Sequence, residues 1–183
     1  MEAGDPVTRQ YLLPRPSEPP TAASLRAPLQ GQPLKLTHPA VRAMQDLQRE
    51  PLPAVSEEAA LEQILDALFR HGARALVVER DQSVVGLITT EHVRGQPGAR
   101  RAADVMQPVA SVPAVDWQTI RQSRIRDLME LFDGSGASHL LVLEDESPTR
   151  TRVRGLIHRD RLARQLGPRW TTRIAVTALP VGI

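Results

Sequence analysis

The sequence predicts an α/β fold, α+β in arrangement, built from one β-α-β-β-α unit written twice. Three observations predict it. Apolar residues at helical spacing alternate with short runs rich in Val, Ile and Leu. The phrase GLITTEHV at 86–93 returns as GLIHRDRL at 155–162, and each copy closes a strand-like run on a glycine and leads into a polar, helix-like segment. The 183 residues are enough to bury a core in one domain or two small ones.

Taken in order, the chain begins with an arm. Ten of the sixteen prolines fall within the first 53 residues, among them Pro14, Pro16, Pro19 and Pro20. Proline removes a backbone donor and fixes φ, so residues 1–37 are expected to be extended or disordered. Tyr11, Leu12 and Leu13 give the arm an apolar stretch suited to lying along a folded surface. HPAVRAMQDL (38–47) suits a short helix with Pro39 at its first position.

From Pro51 the pattern sharpens. Ala54-Val55 is a short strand. In VSEEAALEQILDALFRHG, Ser56 is the expected N-cap, Glu57 and Glu58 occupy the first turn, and Gly72 is the stop. Leu61, Ile64, Leu65, Leu68 and Phe69 fall on one helical face. RALVVE (74–79), the turn RDQS and VVGLIT (84–89) form a hairpin, and TEHVRG opens a short helix ended by Gly95.

The order then repeats. VASVP (109–113) is strand-like, and Ile125, Leu128, Met129 and Phe132 form a helical stripe with Ser123 as cap and Gly134 or Gly136 as stop. HLLVLE (139–144) and VRGLIH (153–158) are strands joined by the polar linker DESPTRTR, and RDRLARQLG is a helix. Val55 answers Val112, Gly72 answers Gly136 and Gly86 answers Gly155. The spacing grows from 57 to 64 to 69 residues, so the second copy carries two insertions, one near DWQTIRQ and one in the hairpin turn.

This order, the tandem repeat, the Gly-apolar-apolar-Thr close of the last strand and the linker phrase AADVMQPVASVP (102–113) together resemble the cystathionine-β-synthase (CBS) domain pair, or Bateman module. The resemblance covers roughly residues 38–167. It implies a first repeat over 38–101 with its lead-in helix, a second over 102–167 and a C-terminal tail over 168–183. It further implies sheet-to-sheet packing about a pseudo-twofold axis that leaves two clefts. Such modules commonly dimerise, and many bind AMP, ADP, ATP or S-adenosylmethionine to regulate an attached or partner protein.

In the motif that the resemblance implies, a Thr or Ser hydroxyl faces phosphate and an Asp three residues later accepts from both ribose hydroxyls. A carboxylate suits that task because it only accepts. The first repeat supplies Gly86 and Thr89, then His92 where Asp is expected. A neutral imidazole has a single acceptor and cannot take both hydroxyls. The second repeat supplies Gly155, then His158 at the Thr position and Arg161 at the Asp position, and Arg accepts nothing. Asp160 stands one residue early, about 100° away around a helix. The candidate ligand residues are therefore Thr89, His92, His158, Arg161, Gly86 and Gly155, as a changed nucleotide cleft or an anion site. The competing account makes Thr89 a backbone-satisfying strand end and the other polar residues solvated helix starts.

Composition bounds the remaining classes. With no cysteine there is no thiol chemistry, and a cytoplasmic setting is expected. No apolar run is long enough for a membrane span, and the start Met1-Glu2-Ala3-Gly4 lacks the form of a signal peptide. The pI of 9.9 overstates a net charge of only +2 carried almost wholly by arginine. Locally, Arg150, Arg152, Arg154, Arg159, Arg161, Arg164, Arg169 and Arg173 are opposed only by Asp160. They suit an acidic protein partner; for nucleic acid they lack interleaved aromatics apart from Trp170. Trp117 and Trp170 are either interface anchors or packed against their own helices. No two histidines sit at i and i+4 and no nucleophile elbow occurs, so neither a metal site nor an enzyme is expected. The expected function is a stand-alone, dimeric regulatory module sensing an adenine nucleotide or other anion; the alternative is a ligand-free dimerisation or protein-interaction module with an Arg-rich surface.

Overall fold

The computed structural model describes residues 9–14, 33–98, 100–168 and 170. The first repeat consists of β3 (Ala54–Ser56), α1 (Leu61–Arg70), β4 (Ala75–Arg80), β5 (Ser83–Thr89) and α2 (Thr90–Val93). The second consists of β7 (Ala114–Asp116), α4 (Trp117–Gln122), α5 (Ile125–Ser135), β8 (His139–Ser147), β9 (Arg150–His158) and α6 (Arg159–Leu166). Each repeat has a lead-in. Before the first come β1 (Gln10–Leu12), a 3-10 turn (Ala40–Ala43) and β2 (Gln45–Asp46); before the second come α3 (Ala102–Val105), β6 (Gln107–Pro108) and a 3-10 turn (Val109–Ser111).

Among the described residues the strands form two sheets. One is ordered β3-β4-β5-β6; the other is ordered β1-β9-β8-β7, with β2 also paired to β9. Each lead-in strand therefore completes the sheet of the other repeat. Gln45 and Asp46 pair with Leu156 and Gly155, and Gln107 and Pro108 pair with Leu87 and Gly86. The exchange explains both glycines of the repeated phrase. A Cβ on Gly86 would collide with the side chain of Met106, and a Cβ on Gly155 would collide with Met44. The glycine is a slot for the other repeat's methionine.

Strand residues alternate between two cores, as expected of sheets buried on both faces. Val77, Val84 and Leu87 of the first sheet meet Leu141, Val153 and Leu156 of the second. On the outer faces, Leu61, Ile64 and Leu68 of α1 cover Leu76, Val78 and Ile88, while Ile125, Leu128, Met129 and Phe132 of α5 cover Leu140, Val142 and Ile157. Both hairpins carry a bulge beside the glycine pair, after Val78 and after Val142. Gly72 and Gly136 end α1 and α5 in the left-handed region, at φ 56° and 65°, where a side chain is disfavoured.

Several local expectations change. Ser56 ends β3; α1 starts after Ala60, whose N–H donates to Gln63 Oε1 at 2.9 Å. Residues 109–111 turn as a 3-10 helix, and the strand lies at 114–116, so Val115 and not Val112 matches Val55. Around DWQTIRQ the chain forms α4, capped by Asp116 Oδ1, which accepts from Gln118 at 2.7 Å. Arg124, not Ser123, precedes α5, its N–H donating to Asp127 at 2.6 Å. The polar DESPTRTR linker is largely strand, because β8 and β9 extend the hairpin to Ser147 and Arg150. Phe69, expected on the buried stripe, is 87% exposed.

Within the Pro-rich arm, residues 10–12 run as a parallel strand along Arg150–Arg152, and Tyr11 and Leu13 pack against the core between the sheets. Residues 1–8 and 15–32 of the arm, and all of the expected tail but Pro168 and Trp170, lie outside the described residues. Among the described residues no helix is long and apolar enough to cross a membrane.

The glycine slots differ in their walls, and this yields a prediction. Around Gly86 the three nearest atoms all belong to the flexible Met106 side chain, whereas Gly155 also faces the Gln45 carbonyl oxygen, which would lie 3.0 Å from an added Cβ. Gly86→Ala is expected to cost about 1 kcal/mol and Gly155→Ala about 2–3 kcal/mol. Urea denaturation measures both; a larger loss at Gly86 would contradict the exchange as the source of the constraint.

Candidate functional site

The repeated phrases end side by side where the two repeats meet. Thr89 closes β5 opposite Ala75, and His158 closes β9 opposite His139. The backbone follows one plan on both sides: Thr90 N–H donates to the Arg74 carbonyl at 3.1 Å, and Arg159 N–H donates to the Ser138 carbonyl at 2.9 Å. Between them lies a groove lined by Arg74, Thr90 and Glu91 of the first repeat and by Ser138, His139, His158, Asp160, Arg161 and Arg164 of the second.

Of the residues singled out from sequence, His158 and Arg161 line this groove. Thr89 is 2% exposed, and its hydroxyl hydrogen-bonds Glu91. His92 turns back on its own helix start, where its Nδ1 accepts from the Thr89 N–H at 3.3 Å. The one acceptor of a neutral imidazole is thus engaged by the chain itself, which leaves only a donor at Nε2. Gly86 and Gly155 hold methionines. The groove residues that sequence reasoning passed over are Arg74, Thr90, Glu91, Ser138 and His139, while Arg164 entered only as part of the arginine run. Their signal was positional: each is adjacent to, or shortly after, a strand terminus at the repeated corner.

The groove is nearly closed. Its cavity is about 20 Å³, room for roughly one water molecule, whereas small-molecule sites commonly offer about 300 Å³ or more. A larger hollow of about 460 Å³ lies at the rim of the first sheet, lined by Glu57, Glu58, Glu79 and Asp81 among others. It is acidic, and there Arg80 pairs with Glu57 at 3.0 Å.

Arg152, Arg154 and Arg159 of the arginine run are held by carboxylates of the chain. Arg152 pairs with Glu144 at 3.6 Å and also with Glu146. Arg154 reaches Asp46 at 3.2 Å and lies 5.0 Å from the ring centre of Trp117. Arg159 is buried and holds Asp133 at 2.8 Å. The expected Arg-rich surface is thus partly taken up in ion pairs, with Arg161 and Arg164 lining the groove. Arg169 and Arg173 lie outside the described residues. Trp117 is half-buried beneath Arg154, and Trp170 packs on the core around α5.

His139 and His158 stack edge to face with ring centres 4.6 Å apart, and Ser138 Oγ lies 2.7 Å from His139 Nδ1. Burial pushes His158 down to about 3, helped by His139, Arg161, Arg74 and Arg164. Burial also lowers His139, against the pull of Glu91 and Asp160. For Glu91, burial would raise the carboxyl, but bonds from Thr89 and from its own backbone, with His139 and His92 nearby, hold it below its usual value. Both histidines are accordingly neutral in the fold near neutral pH.

A pH dependence follows. Between 6.5, the unperturbed histidine value, and about 3, the unfolded chain takes up protons that the folded chain refuses. Stability should therefore be flat above pH 7 and fall as pH drops through 6.5 towards 3, the His158 share being on the order of 2–4 kcal/mol. Denaturation across pH 4–8 should show this slope, and His158→Gln should flatten it. An unchanged slope in that variant would place the titration elsewhere.

Residues 44–96 match the family model of the CBS domain. No curated protein matches the chain. Among solved structures, an uncharacterized conserved protein from Pyrococcus horikoshii is 13% identical, with a TM-score of 0.52, covering 82% of this chain and 99% of its own. The CBS domain of the bacterial CNNM/CorC family Mg2+ transporter is 18% identical, with a TM-score of 0.53, covering 72% and 76%. The same domain in complex with ATP is 17% identical, with a TM-score of 0.51, covering 72% and 88%. At these identities the likeness is one of fold. The matched segment spans β2 and the first repeat, and the second repeat follows the same β-α-β-β-α order with α4 added before α5. The CBS-domain match is thus carried by residues 44–96, and the chain as a whole has the fold of the solved CBS-domain structures to which it is similar.

Proposed function

We propose that the protein is a non-catalytic regulatory CBS pair that acts through association with protein rather than by reading an adenosyl ligand. One observation carries this reading: the polar atoms at the nucleotide-motif positions of the first repeat are already bonded within the chain. The Thr89 hydroxyl is held by Glu91 and the His92 acceptor by the Thr89 N–H. A nucleotide would have to displace both bonds and also open a cavity of about 20 Å³. It would then meet no carboxylate at the ribose position, since His92 and Arg161 stand there.

A second reading rests on a separate observation. Arg74, Arg161 and Arg164 converge on the groove with the hydroxyl residues Thr90 and Ser138. Guanidinium groups suit phosphate and carboxylate, so a small anion is the ligand this groove favours if it opens. Glu91 and Asp160 oppose that preference. The CBS domain of the CNNM/CorC transporter has been solved with ATP, which keeps adenine nucleotides among the compounds worth testing.

A thermal-shift panel separates these readings. A ligand at a hundred times its dissociation constant adds about 2.7 kcal/mol. With AMP, ADP, ATP and S-adenosylmethionine at millimolar concentration, no rise in Tm is expected. A rise that Thr89→Val abolishes would overturn the association reading in favour of nucleotide sensing. A rise with inorganic phosphate or pyrophosphate alone, lost in Arg161→Ala with Arg164→Ala, would establish the anion reading.

A further inference from the structure

The second repeat carries an insertion in its hairpin that the groove does not use. Arg80 faces Ser83 at the end of the first hairpin, and Glu144 faces Arg152 at the matching place in the second. The second hairpin runs on past that point, adding the pairs Asp145 with Thr151 and Ser147 with Arg150. This added edge is where the arm docks. β1 lies parallel along it, with Gln10 beside Arg150, Tyr11 beside Thr151 and Leu12 beside Arg152. Gln10 N–H donates to the Thr149 carbonyl at 2.9 Å. The first hairpin ends too early to offer an equivalent edge.

The edge selects side chains as well as backbone. Tyr11 and Leu13, two residues apart and so on one face of the strand, pack against the core that Val84 and Leu87 of one sheet form with Val153 and Leu156 of the other. Asp145 sets the rim: its carboxylate accepts from the Thr151 hydroxyl at 2.6 Å and lies 3.8 Å from the Arg9 guanidinium. Buried Pro14 follows, with no N–H to extend the pairing.

The hold on the arm is light. Its ladder is a short parallel one, the weaker kind of pairing per residue, and the exposed Arg9–Asp145 pair adds little. Tyr11 and Leu13 are only partly buried, and segments with so few contacts open at small cost. The arm keeps its place because residues 15–32 join it to the lead-in, which gives it an effective concentration on the order of millimolar.

We infer that the extended β8–β9 edge is an acceptor site for an extended segment of a partner protein, with residues 9–14 as its resident occupant. The inference rests on the association reading above and names the kind of partner. The arm is the template for what replaces it: a strand with an aromatic and an aliphatic side chain two residues apart, a cation before them and proline after. Strand addition of this kind takes affinity from main-chain bonds and specificity from alternate side chains. Such a segment expels the arm, so occupancy of the edge is coupled to the state of the N-terminal region.

Tyr11 is the only tyrosine, so the full chain labelled with fluorotyrosine carries a single fluorine reporter, on the arm itself. Titration with an unlabelled peptide of residues 9–14 tests the site. A second resonance, that of the released arm, is expected to grow saturably over about 1–10 mM peptide, and the same peptide with serine in place of Tyr11 and Leu13 should be inert. In the full chain with Tyr11→Ser and Leu13→Ser, a fluorotyrosyl peptide should bind at least about tenfold more tightly than it binds wild type, because more of the edge is open. The wild-type titration decides the matter even if that variant fails to fold. A resonance unchanged at about 10 mM peptide, or a serine peptide as effective as the native one, would overturn the inference. So would a docked resonance that fades when the chain alone is diluted from about 500 to 20 µM, since the edge would then hold the arm of a second copy. A failed titration with a silent nucleotide panel sinks this site alone; a nucleotide-dependent rise in Tm that Thr89→Val abolishes sinks the association reading.

Discussion

Everything in this molecule depends on an exchange: each repeat lends its lead-in strand and a methionine to the sheet of the other. Met106 sits on Gly86 and Met44 on Gly155, and the flanking residues pair antiparallel with the strand that carries the glycine. Burial of a long thioether against a backbone with no side chain fixes the spacing of strand and lead-in, and van der Waals packing is lost quickly when that spacing changes. Because the debt is mutual, neither repeat has a complete sheet alone. Arg154 adds a second tie, pairing with Asp46 from the first lead-in while lying over Trp117 of the second repeat. The Arg154 Nε is buried without a hydrogen-bond partner among the described residues, a cost carried by the rest of that cluster.

The same architecture sets what the groove can do. The corners of the two phrases meet because the inner sheet faces bury Val77, Leu87, Val153 and Leu156 together, which brings the ends of β5 and β9 into register. What the corners then offer is decided by single polar residues. An aspartate at 92 would bring two acceptor oxygens, so one would remain after bonding the Thr89 N–H; histidine has one acceptor, and it is spent there. Histidine at 158 stacks on His139 in place of presenting a hydroxyl. The chemistry of the site has thus been converted into internal bonding, while the glycine that carries the fold is kept in both copies.

Much of the fold could be read from the sequence because its signals are periodic. The stripe Ile125, Leu128, Met129 and Phe132, the hairpin around Gly86 and the stop at Gly72 follow from spacing and from backbone freedom alone, whereas the choice of Gly136 over Gly134 needed the fold. The exchange could not be read that way. Gln45-Asp46 and Gln107-Pro108 are two-residue strands whose partners lie in the other repeat, about 110 and about 20 residues away, and no local pattern encodes either pairing. Phe69 misled for a related reason. Its place on the helical stripe is correct, but whether that edge of the stripe is covered depends on the residues at 96 and 98, where the other repeat's lead-in has leucines. At the site, the change from Asp to His and Arg was visible, whereas the bond from Thr89 to Glu91 required the fold. The arginine run illustrates the same limit: its carboxylate partners Asp46, Asp133, Glu144 and Glu146 all lie outside the run itself.

If the exchanged strands bind the repeats into one cooperative unit, both must lose structure together. Hydrogen exchange followed by mass spectrometry across a urea series measures this directly, using peptides over 84–89 and 153–158. The account predicts that the two peptides lose protection with the same midpoint and the same slope, as in a single two-state transition. Two separated midpoints, with either repeat still protected after the other has opened, would contradict it.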